Sequence, residues 1–295
     1  MTAPRVVVVV KRTLYARFVE DENDPVVRRL LRRNDPSVAR WRTAHREHLG
    51  TLHEVERALD RLSARVWVVH GPRVVFDASD AALVVTVGGD GTLLAASHHV
   101  GAVPILGVNS SPNSSVGFFC GSRKENVAAK LEKALDGELP SVRLSRMRVA
   151  VNGRIVSRRV LNEALFSHTI PAAASRYLLR HGRRMEEQVS SGFWISTAAG
   201  STGALHSAGG KVMPLGSKRL EVVVREPLAR HRYKMTNFFV EPGSELTAIN
   251  KMRDARLFLD GPFRTVNVHL GDQVSFAASE EPVRVLGLTS RRGRR

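Results

Sequence analysis

The chain of 295 residues contains a single cysteine, Cys120, and only three tryptophans and three tyrosines. One cysteine excludes a disulfide framework and a cysteine-rich zinc site, and it favours a reducing compartment. No stretch approaches the roughly 20 apolar residues that span a bilayer. The valine run at residues 6–10 is too short for a signal peptide and leads directly into Lys11 and Arg12, so we interpret it as a buried strand. We therefore expect a cytoplasmic protein with no membrane partner.

Acidic residues are scarce, since 28 Asp and Glu stand against 45 Lys and Arg, which gives a formal net charge of +17. Such a charge raises the question of nucleic-acid binding, because neutralising phosphates is the main source of nonspecific affinity for DNA or RNA. The arginines are spread over the whole chain, however, and no helix-turn-helix or aromatic ribonucleoprotein motif is present. We expect no specific nucleic-acid partner, and we expect a positive field that attracts small polyanionic substrates.

Short apolar runs alternate with amphipathic stretches in the first half of the chain, a pattern that predicts an α/β domain of Rossmann type over residues 1–140. The predicted elements are strands at 6–10, 66–69 and 83–87, a charged helical segment at 20–50 interrupted at 34–36, and helices at 52–62 and 124–135.

After residue 140 the apolar pattern changes to period two, which indicates strands. Residues 147–166 predict a strand, an Asn152-Gly153 turn and a second strand. Further predicted strands lie at 193–197, 220–224, 245–249, 255–259, 265–270 and 274–276. The prediction is a second, all-β domain of sandwich type over residues 141–285, followed by a basic, disordered tail at 286–295.

The segment VTVGGDGTLL at 85–94 is a buried strand that ends in a glycine-rich turn. Gly88, Gly89 and Gly91 permit positive φ and let a ligand approach the backbone. The residues after Thr92 predict a helix, whose positive N-terminal end favours phosphate. A carboxylate beside a phosphate is repelled unless it holds a cation or accepts a proton, so Asp90 suggests catalysis. The alternative is a plain Asp-Gly turn between strand and helix.

The GGDGT motif resembles that of the superfamily that contains NAD kinases, diacylglycerol and sphingosine kinases, and related phosphofructokinases. Four further segments resemble NAD kinase motifs in the family order. They are ILGVNSSPNSSVGFF at 105–119, LNEALF at 161–166, ISTAAGSTGALHSAGG at 195–210 and LDGPFRTVNVHLGDQVSF at 259–276. The five segments span residues 85–276, whereas the first 80 residues align only loosely.

The resemblance implies an ATP-dependent kinase that phosphorylates the 2′-hydroxyl of the adenosine ribose in NAD or NADH, with Asp90 as the catalytic residue. It implies ligand-binding roles for Gly88, Gly89, Gly91, Thr92, Asn109, Phe118, Asn162, Glu163, Thr197, Gly200, Ser201, Thr202 and Ser207. Three alternatives stay open, because Phe118 is also a candidate core residue, Asn162-Glu163 a strand-end turn, and Ser201-Thr202 a helix N-cap.

The chain departs from the family pattern at the ligand loop. Ala198-Ala199 replaces Pro-Thr, Gly203-Ala204 replaces Ala-Tyr, and Ser191-Gly192 replaces Asp-Gly. The resemblance assigns the tyrosine and the aspartate to dinucleotide binding. A charged hydrogen bond contributes roughly 1.5–3 kcal/mol, enough to change affinity by one or two decades without abolishing binding.

The chemistry implies Mg²⁺ or another divalent cation with ATP as the phosphoryl donor, although no ligand cluster for a metal is evident, and His45 and His48 lack a third ligand motif nearby. The family assembles as dimers or tetramers, so a homodimer or homotetramer is expected. Two rival functions remain, a lipid kinase of the diacylglycerol or sphingosine type and a non-catalytic NAD-binding sensor.

Overall fold

The computed structural model describes residues 3–71, 74–228 and 232–288. Within them the chain forms two compact units, residues 3–142 with 283–288, and residues 143–282. The first is an α/β unit and the second is all-β apart from short helical turns, so the predicted fold class is confirmed. None of the helices in these residues combines the length and the apolar character needed to cross a membrane.

The first unit is built on a largely parallel sheet. Its first six strands are β1 (Arg5–Val10), β2 (Arg65–His70), β3 (Leu83–Gly88), β4 (Ile105–Asn109), β5 (Ser122–Arg123) and β6 (Ser141–Leu144). The side chains of residues 6–10 are almost completely buried, as expected for a central parallel strand covered on both faces. The three strands predicted from the sequence are β1, β2 and β3, each with bounds within one residue of the prediction.

Four helices cover this sheet. They are α1 (Pro25–Arg32), α2 (Trp41–Arg61), α3 (Asp90–Ser97) and α4 (Val127–Leu135), with a π-helical segment at Ala16–Asp21 and a 3₁₀ turn at Lys124–Asn126. Asp24 caps α1, because its carboxylate accepts the N–H of Val26 at 2.8 Å. The predicted interruption of the charged segment is confirmed as the stretch between α1 and α2.

The strand order β2-β1-β3-β4 creates a topological switch point between β1 and β3. The chain leaves β1 through α1 and α2 towards β2, and it leaves β3 through α3 towards β4, on the opposite side. Open α/β sheets bind ligands in the crevice outside the carboxyl ends of the two strands at such a point. In this chain those ends are Lys11, after β1, and the glycine turn, after β3.

The second unit contains two six-stranded sheets. Its strands are β7 (Met147–Val151), β8 (Arg154–Val160), β9 (Glu163–His168), β10 (Ser175–His181), β11 (Arg184–Ser190), β12 (Phe193–Ser196), β13 (Leu220–Val224), β14 (Asn237–Val240), β15 (Glu245–Asn250), β16 (Ala255–Leu259), β17 (Arg264–Val268) and β18 (Gln273–Ala278), with α5 at Ala204–Ser207. The orders are β11-β10-β15-β18-β7-β8 and β14-β13-β12-β9-β16-β17.

Aromatic residues join the two sheets into a sandwich. Phe193 of the second sheet lies 5.2 Å from Tyr177 and 5.7 Å from Phe276 of the first, measured between ring centroids. Phe166 stacks on Phe193 at 5.4 Å. All four side chains are fully buried, so the core of this unit lies between its sheets.

Two sequence expectations for this half were wrong in detail. The second strand predicted within 147–166 is in fact two strands, β8 and β9, which belong to different sheets. The chain turns at Leu161 and Asn162, where the Asp260 carboxylate accepts both backbone N–H groups. The hairpin of β10 and β11 was missed, because its buried positions include the polar residues Ser175, Gln188 and Ser190, which obscure the alternation.

The chain ends by returning to the first unit. Its last strand, β19 (Val283–Leu286), lies between β4 and β6 and is parallel to β4. Val283 and Val285 are fully buried there. The sequence had assigned residues 141–285 to the second domain, and the difference arises because a short apolar strand carries no signal of the sheet it joins. The disordered tail was predicted over residues 286–295, which is wrong at its start, because Leu286 is the last residue of β19 and is buried. The tail from residue 289 onwards lies outside the described residues.

Candidate functional site

The glycine turn at the end of β3 is shaped by close packing. None of Gly88, Gly89 and Gly91 has positive φ, so the conformational reason expected for them was wrong. A Cβ on Gly88 would lie 2.1 Å from the Thr92 hydroxyl, and one on Gly89 would lie 2.5 Å from the Ser115 hydroxyl. Gly91 is exposed and has no atom within 4 Å of that position, so its backbone is open to a ligand. Two glycines are required by the fold and the third leaves free space.

Asp90 is the first residue of α3 and follows directly on this turn. Its Oδ2 accepts the N–H of Phe118 at 2.8 Å, and its Oδ1 accepts the N–H of Phe119 at 2.7 Å. The plain Asp-Gly turn would have left this side chain in solvent. Instead the two bonds orient the carboxylate rigidly, while each oxygen keeps a further lone pair for a ligand hydroxyl.

The segment after β4 is organised by Asn109, which is buried. Its Nδ2 donates to the Ser115 carbonyl at 3.0 Å, and its Oδ1 accepts the Ser111 N–H at 3.2 Å. Gly117 has φ of +63°, and a Cβ there would lie 2.3 Å from Asn109 Nδ2. The predicted ligand residue Asn109 therefore holds the loop that delivers the backbone amides of residues 118 and 119 to Asp90.

Phe118 is half-buried and packs edge-to-face against Phe119, with ring centroids 5.1 Å apart. Phe119 is buried in the core. Phe118 therefore keeps part of its ring surface exposed, whereas Phe119 belongs to the core.

Within the second unit, Asn162 and Glu163 lie where β8 gives way to β9. Asn162 Oδ1 is buried and has no hydrogen-bond partner among the described residues. Burial, with the nearby charge of Asp260 as a second cause, raises the pKa of Glu163 to about 7. Asp260, in the late Asp-Gly segment, fixes this turn through the N–H groups of Leu161 at 2.8 Å and Asn162 at 2.6 Å.

The glycine and threonine loop after β12 packs on the same turn. Thr197 Oγ1 donates to the Leu161 carbonyl at 2.5 Å, and the Thr197 N–H donates to the Asn162 carbonyl at 2.9 Å. A Cβ on Gly200 would lie 2.7 Å from the Asn162 carbonyl oxygen. Sequence motifs that are more than 30 residues apart in the chain therefore form one structural unit.

The hydroxyl groups of this loop divide into two classes. Ser201 is fully buried, donating to the Ala198 carbonyl at 2.8 Å and accepting the Met213 N–H at 2.9 Å. Thr202 and Ser207 are exposed. The N-cap of α5 is Gly203, with no side-chain cap bond, so the N-cap alternative for Ser201 and Thr202 was wrong.

The residues that depart from the family pattern have small side chains. Ala198 and Ala199 are buried, and Ala204 is half-buried at the start of α5. Ser191 donates its N–H to the Arg225 carbonyl at 3.0 Å, and Arg225 returns a bond to the Ser191 carbonyl at 3.4 Å. A positively charged side chain thus lies beside the position where the family has an aspartate.

Sequence reasoning overlooked several residues of these sites. Asp260 carried a signal, since it belongs to the late Asp-Gly motif. Ser115 lies within the motif at 105–119 but was not singled out there. Lys11 lies outside the motifs and His48 was considered only as a metal ligand, because strand order and helix α2 place these two residues. Among the described residues no group of three or more His, Cys, Asp or Glu is placed to hold a metal ion.

Comparison with known proteins gives relatives that extend over both units. Residues 24–139 match the family described as the ATP-NAD kinase N-terminal domain. A probable NADH kinase of Oryza sativa subsp. japonica is 31% identical over 281 residues, which cover 87% of this chain and 86% of the relative. The NADH kinase of Arabidopsis thaliana is 34% identical over 237 residues, covering 69% of this chain and 72% of the relative.

Two solved structures have the same fold. An NAD kinase from Archaeoglobus fulgidus in complex with ATP aligns with a TM-score of 0.67 at 23% identity, covering 95% of this chain and 93% of that one. Yeast NADH kinase complexed with NADH aligns with a TM-score of 0.69 at 13% identity, covering 98% of this chain and 85% of that one. The five motifs, the fold and these relatives agree, and the chain belongs to the NAD kinase family of phosphotransferases.

Proposed function

We propose that the protein transfers the γ-phosphoryl group of ATP to the 2′-hydroxyl of the adenosine ribose in NAD or NADH. The hydroxyl oxygen attacks the γ-phosphorus, the bond to the β–γ bridging oxygen breaks, and NADP or NADPH and ADP leave. Asp90 accepts the hydroxyl proton. The observation that carries this proposal is the Asp90 carboxylate, held by two backbone amides beside an open glycine at the start of α3. Phosphoryl transfer depends on such positioning more than on covalent chemistry.

Phosphate binding is proposed for the turn itself. Gly91 leaves its backbone accessible, and a phosphate beside it would lie at the positive N-terminal end of α3. Gly88, Gly89 and Thr92 support this role indirectly, because their mutual packing holds the turn in place. Phe118 offers a partly exposed ring for the adenine base.

Dinucleotide recognition is proposed for Asn162 and Glu163. A buried amide oxygen without a partner is costly, roughly 1–3 kcal/mol, and a ligand hydroxyl or amino group would satisfy it. A carboxyl group with a pKa near 7 is partly protonated at neutral pH and both donates and accepts hydrogen bonds. Thr197, Gly200 and Ser201 shape this loop, whereas Thr202 and Ser207 are the exposed hydroxyls we assign to ligand contact.

Mg²⁺ would enter with the phosphates of the donor, because magnesium sites in such enzymes combine one or two carboxylates with phosphate oxygens and water. The described residues offer no preformed cage of three ligands, which fits that mode. When bound, the ion would neutralise charge on the transferred group. We further propose that the reaction takes place in the cytoplasm and that the protein acts as a homodimer or homotetramer.

The test is incubation of the purified protein with ATP and Mg²⁺ and, in separate reactions, NAD, NADH, diacylglycerol and sphingosine. Formation of NADP, detected with an NADP-specific dehydrogenase, supports the proposal and reports the preference between NAD and NADH. Lipid phosphorylation without NADP would support the lipid kinase, which receives no support from the comparisons. Tight NAD binding without turnover would support the non-catalytic sensor, the alternative suggested by the missing tyrosine and aspartate.

A further inference from the structure

Lys11 lies at the topological switch point, immediately after β1 and beside the glycine turn. Its N–H donates to the Val87 carbonyl at 2.9 Å, and a Cβ built on Gly88 would lie 3.1 Å from the Lys11 Cβ. No sequence motif includes this residue. Its Cβ nevertheless packs against the start of the turn at Gly88.

The ammonium group of Lys11 forms no ion pair within the described residues. The side chain is half-buried, and this burial lowers its pKa. It lines a groove of about 420 Å³ that also contains the carboxylates of Glu20 and Asp21. Both already have partners, since Glu20 binds His45 at 3.3 Å and Asp21 accepts from Arg12 Nε at 2.7 Å. A cation taken partly out of water without a counter-ion is costly, so an anion bound beside the Lys11 ammonium group would stabilise it.

His48 connects the segments on the two sides of the turn. Its Nδ1 lies 2.9 Å from the Ser110 hydroxyl, and the ring also forms a hydrogen bond to the Lys11 backbone. Ser110 in turn donates its N–H to the Gly88 carbonyl at 2.8 Å. Burial, then the charges of Lys11 and His45, lower the pKa of His48 to about 4, so the ring is neutral at pH 7. The imidazole therefore braces Lys11 without adding a charge.

We propose that Lys11 binds a phosphate group of the ligand at the glycine turn, with His48 as the positioning residue that holds its backbone. Phosphate is the anion that an open glycine backbone and the N-terminus of α3 also favour. The inference rests on the proposed function for the identity of the ligands. The shared chemistry is a phosphate oxyanion, and its source is either the triphosphate of ATP or the diphosphate of NAD.

The test compares Lys11→Gln with Arg61→Gln, a matched control in which an exposed arginine at the end of α2, outside the groove, loses the same charge. Titration calorimetry measures binding of ATP, NAD and inorganic tripolyphosphate without turnover. We expect Lys11→Gln to weaken binding of ATP or of NAD by about tenfold or more, the size of one charge-assisted hydrogen bond. Arg61→Gln is expected to change the affinities by no more than about twofold, and Lys11→Arg to recover most of the loss because it restores the charge.

The three probes identify the source of the phosphate. A loss confined to ATP and tripolyphosphate assigns Lys11 to the donor, and a loss confined to NAD assigns it to the dinucleotide. Equal affinities of Lys11→Gln and the wild type for all three, or equal losses in Lys11→Gln and Arg61→Gln, would overturn the inference. If the wild type forms no NADP but Lys11→Gln still binds ATP more weakly, the proposed function fails and the phosphate site stands.

His48→Ala tests the positioning role. We expect it to weaken binding of the same ligand that Lys11→Gln affects, and to raise the KM for that ligand more than it lowers kcat. In the double variant the loss of affinity should be little larger than in Lys11→Gln alone, because both changes remove one interaction. Additive losses, or a loss of kcat with an unchanged KM, would contradict the positioning role of His48.

Discussion

The carboxylate of Asp90 accepts a 2.8 Å hydrogen bond from the backbone N–H of Phe118. The two residues are 28 positions apart, and a second bond from Phe119 completes a clamp on the carboxylate. The glycine turn and the Asn109 loop are thus one unit, and the residue assigned to catalysis also contributes to the fold of its own site.

Asp90→Asn is therefore expected to lower stability as well as activity. An asparagine side chain presents an NH₂ group to one of the two amides, which leaves a partly buried donor without an acceptor at a cost of about 1–3 kcal/mol. Urea unfolding measures the change. Asp136→Asn, at an exposed position after α4, should leave the midpoint unaltered. Equal midpoints for the two variants would show that the clamp contributes nothing.

Gly91→Ala separates ligand binding from folding. No atom lies within 4 Å of the added Cβ, and alanine favours helix over glycine by about 1 kcal/mol, so stability should hold or rise. ATP binding should weaken, because the methyl group projects where a phosphate would lie. Gly88→Ala is the counterpart, since its Cβ would meet the Thr92 hydroxyl at 2.1 Å and should destabilise the fold. Unchanged ATP affinity in a stable Gly91→Ala protein would contradict phosphate binding at this turn.

Gly200→Ala should be strongly destabilising. The new Cβ would lie 2.7 Å from the Asn162 carbonyl oxygen, and the backbone must move to relieve it. Overpacking of this kind costs typically 1–3 kcal/mol. Gly216→Ala, which has no atom within 4 Å, is the control. Thermal unfolding of both variants gives the comparison, and a Gly200→Ala protein as stable as the control would mean that the loop does not rest on Asn162.

Glu163 should make stability depend on pH. Its ordinary pKa is 4.5, which the unfolded chain retains, and burial together with Asp260 raises the pKa in the folded state to about 7. Between these values the folded state holds more protons than the unfolded state, so this group's contribution to stability falls as pH rises from about 4.5 to 7.

Glu163→Gln has no proton to lose in that range. The variant should therefore gain stability relative to the wild type as the pH rises from 5 to 8, in unfolding curves measured at a series of pH values. Glu138→Gln, at an exposed position, provides the matched comparison. A constant difference between Glu163→Gln and the wild type across this range would contradict the raised pKa.

Much of the fold followed from pattern alone. The valine run of β1 and the Asn152-Gly153 turn, with φ of +50° and +78°, are features that leave a clear signal in the local sequence. The hairpin of β10 and β11 escaped prediction because Gln188, fully buried, pairs with groups that are distant in sequence, among them the Met235 carbonyl at 3.3 Å. Burial of a polar side chain depends on tertiary contacts, and the periodicity of the sequence does not indicate it.

The candidate site also combines residues that the sequence motifs located with residues that only the tertiary structure brings together. The motifs located Asp90, Asn162 and Glu163, but the partners that set their chemistry come from elsewhere in the chain. Asp260 lies almost 100 residues from the turn it fixes, and Lys11 comes to the glycine turn through strand order. The assignment of Asn109 and Thr197 to ligand binding rested on resemblance alone, and the structure shows that each also bonds to its own surroundings.

The central claim is that Asp90 carries the phosphoryl transfer, and its most direct test is single-turnover NADP formation by Asp90→Ala beside Asp136→Ala, with ATP, NAD and Mg²⁺ at saturation. NAD binding by calorimetry in the same samples shows that the site is intact. The account predicts that Asp90→Ala binds NAD but forms NADP at least about a hundredfold more slowly, as removal of a catalytic acid–base group typically does, while Asp136→Ala matches the wild type. A rate unchanged in Asp90→Ala would contradict the account.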